Sequence, residues 1–247
     1  MLRALLLCIA LFLALAARAG EVQVAAAANL GATIQKIAAA FARDTGHRAV
    51  VALASTGRFY AQIRNGAPFE VLLAADQETP GKLETQGLAV PGTRFTYALG
   101  RLALWSADEG VVDARGEVLR QPPQGKLAIA DPRVAPYGRA AVETLRGLGV
   151  LPAWQSHVVQ AENIAQAHQF VASGNARVGF VALSQVAEQG RFTRGSGWIV
   201  PAQDHAPIQQ DAVLLARGAN NPAATAFLDY LRGDAARAIL RDAGYGG

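Results

Sequence analysis

The 247-residue sequence has one cysteine, Cys8, and one methionine, Met1. Both lie in the first twenty residues, so the rest of the chain has no thiol. Disulfides, thiolate nucleophiles and cysteine-ligated metals are therefore excluded beyond that point. Net charge is also scarce. Without Arg3 and Arg18, the 23 basic residues become 21 against 19 acidic, a net of +2. That is too little to argue for a nucleic-acid or membrane-surface partner. The histidines, His47, His157, His168 and His205, show no metal-ligand spacing, so no cation-binding set is expected. No Gly-x-Ser-x-Gly nucleophile elbow occurs. Asp76 and Asp131 read as turn or cap residues rather than a catalytic pair, and no enzymatic activity is expected.

The first twenty residues have their own order. Met1-Leu2-Arg3 is basic, Ala4 to Ala17 is almost wholly apolar, and Ala17-Arg18-Ala19 supplies small residues. That is the pattern of a secretory signal peptide over residues 1–20, cleaved after Ala19 or Gly20. The apolar run is shorter than the roughly 20 residues a membrane-spanning helix needs. An exported protein is expected, with no stable membrane insertion after cleavage. Its length and 51% apolar content allow one large core or two smaller ones.

Short apolar runs then alternate with helix-patterned ones. Val22–Ala26, Ala49–Ala54 and Val71–Ala74 read as strands, each followed by a helix: Ala32–Arg43, Phe59–Arg64 and Glu78–Gln86. This order predicts a mostly parallel sheet covered by helices on both faces. A second series has strands at Leu102–Trp105, Leu127–Ala130, Val158–Gln160, Val178–Leu183, Trp198–Val200 and Ala212–Ala216. Its helices fall at Arg139–Leu148 and Ile164–Ser173, and Ala223–Leu231 and Ala235–Asp242 close the chain. So many strands point to two α/β lobes. Weak boundaries near Thr96–Arg101 and His205–Asp211 suggest residues 21–98 and 209–247 for the first lobe, and 99–208 for the second.

Four strand-to-helix turns carry the chemical interest. They are Ala28-Asn29, Ser55-Thr56-Gly57, Asp131-Pro132 through Pro136-Tyr137-Gly138, and Glu162-Asn163-Ile164. Helix N-termini expose unpaired N–H donors and the positive end of the helix dipole, so they hold anions without a full positive charge. Asn29, Ser55, Thr56 and Asn163 are equally ordinary N-caps. Arg58 and Arg139, just past two of the turns, leave an arginine clamp for an organic acid open.

At these turns the sequence resembles the periplasmic molybdate-binding proteins of ABC transporters, the ModA type. The carrying residues are Val24 to Leu30, Ala54-Ser55-Thr56-Gly57, Leu73-Ala74-Ala75-Asp76, Asp131-Pro132 with Pro136-Tyr137-Gly138, and Glu162-Asn163-Ile164. Gly179 to Leu183, Asp229-Tyr230-Leu231 and Gly244-Tyr245 continue the likeness. It implies a type II periplasmic binding protein fold, with a ligand cleft between two α/β lobes. It also implies capture of molybdate or tungstate as a transported oxyanion, with no cofactor, for delivery to an ABC transporter permease by a monomer. Carried across by position, the contacts fall on Ala28, Asn29, Ser55, Thr56, Tyr137 and Ile164. Asn29 and Thr56 stand where serines are common in the family, and Ala182 where many members place a tyrosine. A subgroup with Asn in the first loop and Tyr in the Pro-x-Gly loop is the nearer likeness. Whether the Tyr137 hydroxyl substitutes for the donor missing at Ala182 is left open by the sequence, which does not give its side-chain direction. Sulfate, thiosulfate, phosphate or a small organic acid are the alternative ligands.

Overall fold

The computed structural model describes residues 19–246. The expected signal segment, with Met1 and Cys8, lies outside them except for its last two residues. The elements that follow form two five-stranded sheets.

The first sheet begins with β1 (Glu21–Ala27), α1 (Gly31–Thr45), β2 (Arg48–Ala54), α2 (Thr56–Arg64), β3 (Val71–Leu73), α3 (Glu78–Thr85) and β4 (Phe95–Gly100). β1 lies between β2 and β3, parallel to both. Its alternate residues feed two layers, as the two-residue period of a strand requires. Val24 and Ala26 pack with Ile34, Ile37 and Phe41 of α1, whereas Ala25 packs with Phe59 and Leu72. The spacing of Ile34, Ile37 and Phe41 places all three on one helical stripe, and all are fully buried. Burial of each such side chain contributes roughly 1.5–3 kcal/mol. α1 stops at Gly46, whose φ of 75° suits glycine and whose N–H bonds back to the Ala42 carbonyl.

The second sheet holds β5 (Leu102–Ser106), β6 (Leu127–Ala130), β7 (Val158–Ala161), β8 (Val178–Ala182) and β11 (Ser196–Ile199), in the order β11-β5-β8-β6-β7. Helices α4 (Pro136–Gly147), α5 (Leu151–Trp154) and α6 (Ile164–Ala172) accompany it. A two-stranded ribbon, β9 (Ala187–Glu188) with β10 (Arg191–Phe192), stands apart. β12 (Ile208–Leu214) returns to the first sheet, and α7 (Pro222–Arg232) and α8 (Asp234–Asp242) pack there.

Each sheet has four strands running one way and one running against them, so the mostly parallel expectation holds with one exception per sheet. β12 runs antiparallel to β3 and β4, and β5 runs antiparallel to β8 and β11. β4 and the first half of β12 fall in stretches read as boundaries. They are the segments through which the chain leaves the first sheet and returns to it. Only Arg101 separates β4 from β5, so the crossover is a bend in continuous extended chain. Among the described residues no helix is long and apolar enough to cross a membrane.

Candidate functional site

All six residues expected at the ligand turns line one cavity between the sheets. Ala28, Asn29, Ser55, Thr56, Tyr137 and Ile164 are joined there by Ala27, Ala75, Ala135, Pro136 and Asn163. The space between them is small, about 10 Å³, and opens to solvent on one side. Ala75 marks a fifth converging turn, after β3, whose only sequence signal is the small residues before Asp76.

The turns differ in how their polar groups are used. Asn163 is a true N-cap, its Oδ1 accepting from the Ala165 and Gln166 N–H groups at 3.0 Å each. This leaves the Ile164 N–H, at the first position of α6, without an intrahelical acceptor. α4 starts at Pro136 rather than at Arg139, since proline's fixed φ suits the first helical position. The Tyr137 N–H therefore sits in a first turn as well. Asn29 is not a cap, because a 3-10 turn (Ala28–Leu30) separates β1 from α1. Ser55 holds the N-cap position of α2 but makes no cap bond. Its Oγ is buried with no partner. Thr56 Oγ1 accepts the Ala75 N–H at 2.9 Å, which keeps its own O–H free to donate elsewhere.

Among the described residues, the buried side-chain polar atoms without a partner are Ser55 Oγ and Asn29 Oδ1. Both residues line this cavity. The larger surface hollow of about 660 Å³ beside Lys36 and Asp242 is lined by neither.

The two sides meet closely around the cavity. The Gly57 N–H donates to the Val134 carbonyl at 2.9 Å. A Cβ on Gly57 would lie 2.9 Å from the Val134 Cα, so only glycine permits this approach. Gly138 is equally constrained, since a Cβ there would stand 2.2 Å from the Ala130 carbonyl oxygen. The arginines offered as an organic-acid clamp do not line the cavity. Arg58 forks onto Glu162 at 2.9 and 3.2 Å, and Arg139 bonds Asp76 at 3.0 Å. Both pairs join an element of the first sheet to one of the second. Asp76 also accepts the Thr79 N–H, and Asp131 the Arg133 N–H, both at 2.9 Å, in the turn and cap roles expected of them. The Arg133 guanidinium holds the Asp131 carboxyl below its ordinary range. No cluster of three metal-ligating side chains occurs among the described residues.

The Tyr137 side chain, whose direction the sequence left open, runs in among protein groups. Its hydroxyl is turned toward Gln210, whose Nε2 is 3.4 Å away, and lies so close to Gly100 that a Cβ there would be at 2.3 Å. Gln210 belongs to a polar group with buried Tyr97 and Tyr245 and half-buried Ser184 that the sequence did not signal. Burial pushes the Tyr97 and Tyr137 phenols well above their ordinary range and Tyr245 up to about 12.

The profile of the family described as "Bacterial extracellular solute-binding protein" matches residues 22–246. The chain is 55% identical over 234 residues to the molybdate-binding protein ModA of Azotobacter vinelandii, covering 95% of this chain and 93% of that protein. It is 49% identical to ModA of Rhodobacter capsulatus, covering 94% and 91%. The solved periplasmic molybdate-binding protein of Azotobacter vinelandii superposes with a TM-score of 0.87 at 43% identity, over 92% of this chain and 99% of that one. This chain belongs to the bacterial extracellular solute-binding proteins, in the ModA family.

Proposed function

We propose that this protein captures molybdate or tungstate in the cleft between its two sheets and delivers the oxyanion to an ABC transporter permease. The observation that carries the proposal is the convergence of the turns on one small cavity, with donors that no protein group uses. These are the Ser55 hydroxyl, the Thr56 O–H and the first-turn N–H groups of Tyr137 and Ile164. Ala28 and Asn29 close the first side. The relatives' names supply the ligand.

A dianion entering such a cleft exchanges its hydration shell for fixed donors. Hydrogen bonds to a charged partner contribute roughly 1.5–3 kcal/mol each. Several of them support micromolar or tighter binding, about −8 kcal/mol or better. Molybdate and tungstate are nearly equal in size, so a rigid cage treats them alike. Sulfate is smaller and leaves the donors stretched. Phosphate carries a proton for much of its population at neutral pH, which a cage mostly of donors accommodates only where Asn29 Oδ1 accepts it.

Residues 21–98 and 209–247 act as one lobe and 99–208 as the other, closing on the anion to form the surface a permease recognises. The protein works as a monomer in the periplasm after loss of its leader, and it catalyses nothing. A thermal-shift panel of oxyanions and organic acids tests the ligand class. Molybdate and tungstate are expected to raise the melting temperature, while sulfate, phosphate and carboxylates do not. A shift with an organic acid alone would replace the ligand.

A further inference from the structure

Behind the cavity runs a chain of mostly buried polar groups that the ligand contacts above do not use. Gln210, on β12 and fully buried, accepts at Oε1 from Asn29 Nδ2 at 2.8 Å and lies 3.0 Å from the Tyr97 hydroxyl. Its Nε2 donates to the Tyr137 hydroxyl at 3.4 Å. Asn29 Nδ2 also donates to the Tyr245 hydroxyl at 3.1 Å, and that hydroxyl donates to the Asn29 carbonyl at 2.9 Å. Ser184 Oγ is 3.1 Å from both the Asn29 carbonyl and the Tyr245 hydroxyl. The Tyr97 hydroxyl also reaches the Ala74 carbonyl at 3.1 Å. The register shift opposite Gln210 and Asp211 leaves Tyr97 of β4 as the extra residue, and Gln210 shares the face of β12 whose Ala212 and Leu214 pack with Tyr97 and Tyr245.

Two members are out of balance. Asn29 Oδ1 has no partner, and the Tyr137 hydroxyl accepts from Gln210 but donates to no described group. One exchange removes the second fault and, with an acceptor ligand bound, the first. A half-turn of each terminal carboxamide swaps oxygen for nitrogen at nearly unchanged positions. Gln210 Oε1 then accepts from the Tyr137 hydroxyl. Its Nε2 donates to Asn29 Oδ1 and to the Tyr97 oxygen, while Tyr97 donates to the Ala74 carbonyl. Tyr245 donates to Asn29 Oδ1, and Ser184 takes over the Asn29 carbonyl. Every other member is satisfied, and Asn29 Nδ2 stands where its oxygen stood alone, its N–H groups left for a ligand acceptor.

We infer that Gln210 is a positioning residue whose carboxamide turns together with that of Asn29, so that its state decides whether Asn29 offers the ligand a donor or an acceptor. A dianion, with acceptor oxygens only, requires the turned state, in which every member is bonded once the dianion accepts from Asn29 Nδ2. A protonated oxyanion donates to Asn29 Oδ1 and requires the other state, with its unbalanced Tyr137 hydroxyl. The coupled turn therefore favours dianions through a residue that does not line the cavity. The inference rests on the proposed molybdate function.

The test uses isotope-labelled full-length mature protein and molybdate itself. On adding molybdate, the side-chain amide signals of Asn29 and Gln210 are expected to shift together. A shifted Asn29 signal with an unmoved Gln210 signal overturns the coupling. In calorimetry, Gln210→Met is expected to weaken molybdate binding about three- to tenfold, the cost of one ordinary hydrogen bond. In an Asn29→Ala background the same change is expected to cost less than about twofold, because Gln210 acts through Asn29. Equal losses in both backgrounds overturn the inference. Should Gln210→Met fail to fold, the wild-type signals decide. Absence of molybdate binding by the wild type overturns the proposed function instead. Binding by the wild type without coupling overturns only the inference about Gln210.

Discussion

Ser55→Ala is expected to change stability and binding in opposite directions. Ser55 is an N-cap by position, and losing a working cap costs about 1 kcal/mol. Here the side chain makes no cap bond, and its Oγ is buried without a partner. That cap cost is therefore absent. What the substitution removes is a desolvated hydroxyl, a group costing about 1–3 kcal/mol while it stays unpaired. The ligand-free variant is thus expected to be at least as stable as wild type, and up to roughly 1 kcal/mol more so. In a chain of this size that is a rise of about 2–4 °C in melting temperature. Binding goes the other way. Loss of one hydrogen bond to a dianion costs about 1.5–3 kcal/mol, a fall of about 10- to 150-fold in molybdate affinity. Thermal unfolding without ligand and calorimetric titration with molybdate measure the two halves. A variant that melts lower and binds molybdate like wild type would show that the hydroxyl serves the fold, and would refute the assignment.

Gly57→Ala places a methyl against the Val134 backbone. It should hold the two sides apart and abolish ligand-induced compaction in small-angle scattering while the far-ultraviolet circular dichroism stays native. Compaction equal to wild type would contradict the close approach. Arg58→Ala removes a bridge whose side chains are about half exposed, and such pairs contribute only about 0–1 kcal/mol. Molybdate affinity should fall less than about fivefold, and the difference from wild type should vanish at high salt. The phenols of Tyr97, Tyr137 and Tyr245 have pKa values raised by burial, so their contribution is complete below the unfolded value near 10. It is lost as pH rises toward the folded value, about 12 for Tyr245. Their tyrosinate absorbance should appear together with alkaline unfolding, and ionisation in a protein that remains folded would contradict their burial.

The local rules reached the helix and strand centres because those signals are short-range. The stripe of Ile34, Ile37 and Phe41 and the apolar run at Val178–Ala182 need no knowledge of partners. β4 was missed because its pattern mixes exposed and buried positions before Gly100, and a glycine followed by Arg101 reads as a break. Its role comes from pairing with β12, more than a hundred residues later. The cavity residues were legible as helix starts with small or hydroxyl side chains, and the resemblance picked them out from other N-caps. Gln210, Tyr97, Ser184 and Tyr245 were not legible. They come from four separate elements, and only the folded chain brings them to Asn29. The direction of the Tyr137 hydroxyl was open for the same reason, since backbone position says nothing about where a long side chain points.

Calorimetric titration of the mature protein with molybdate, alone and in excess sulfate or phosphate, addresses the cleft most directly. One molybdate per chain is expected, micromolar or tighter, with little change when either competitor is present. No binding of molybdate, or sulfate bound as tightly, would contradict a donor-lined cage built for a tetrahedral dianion of that size.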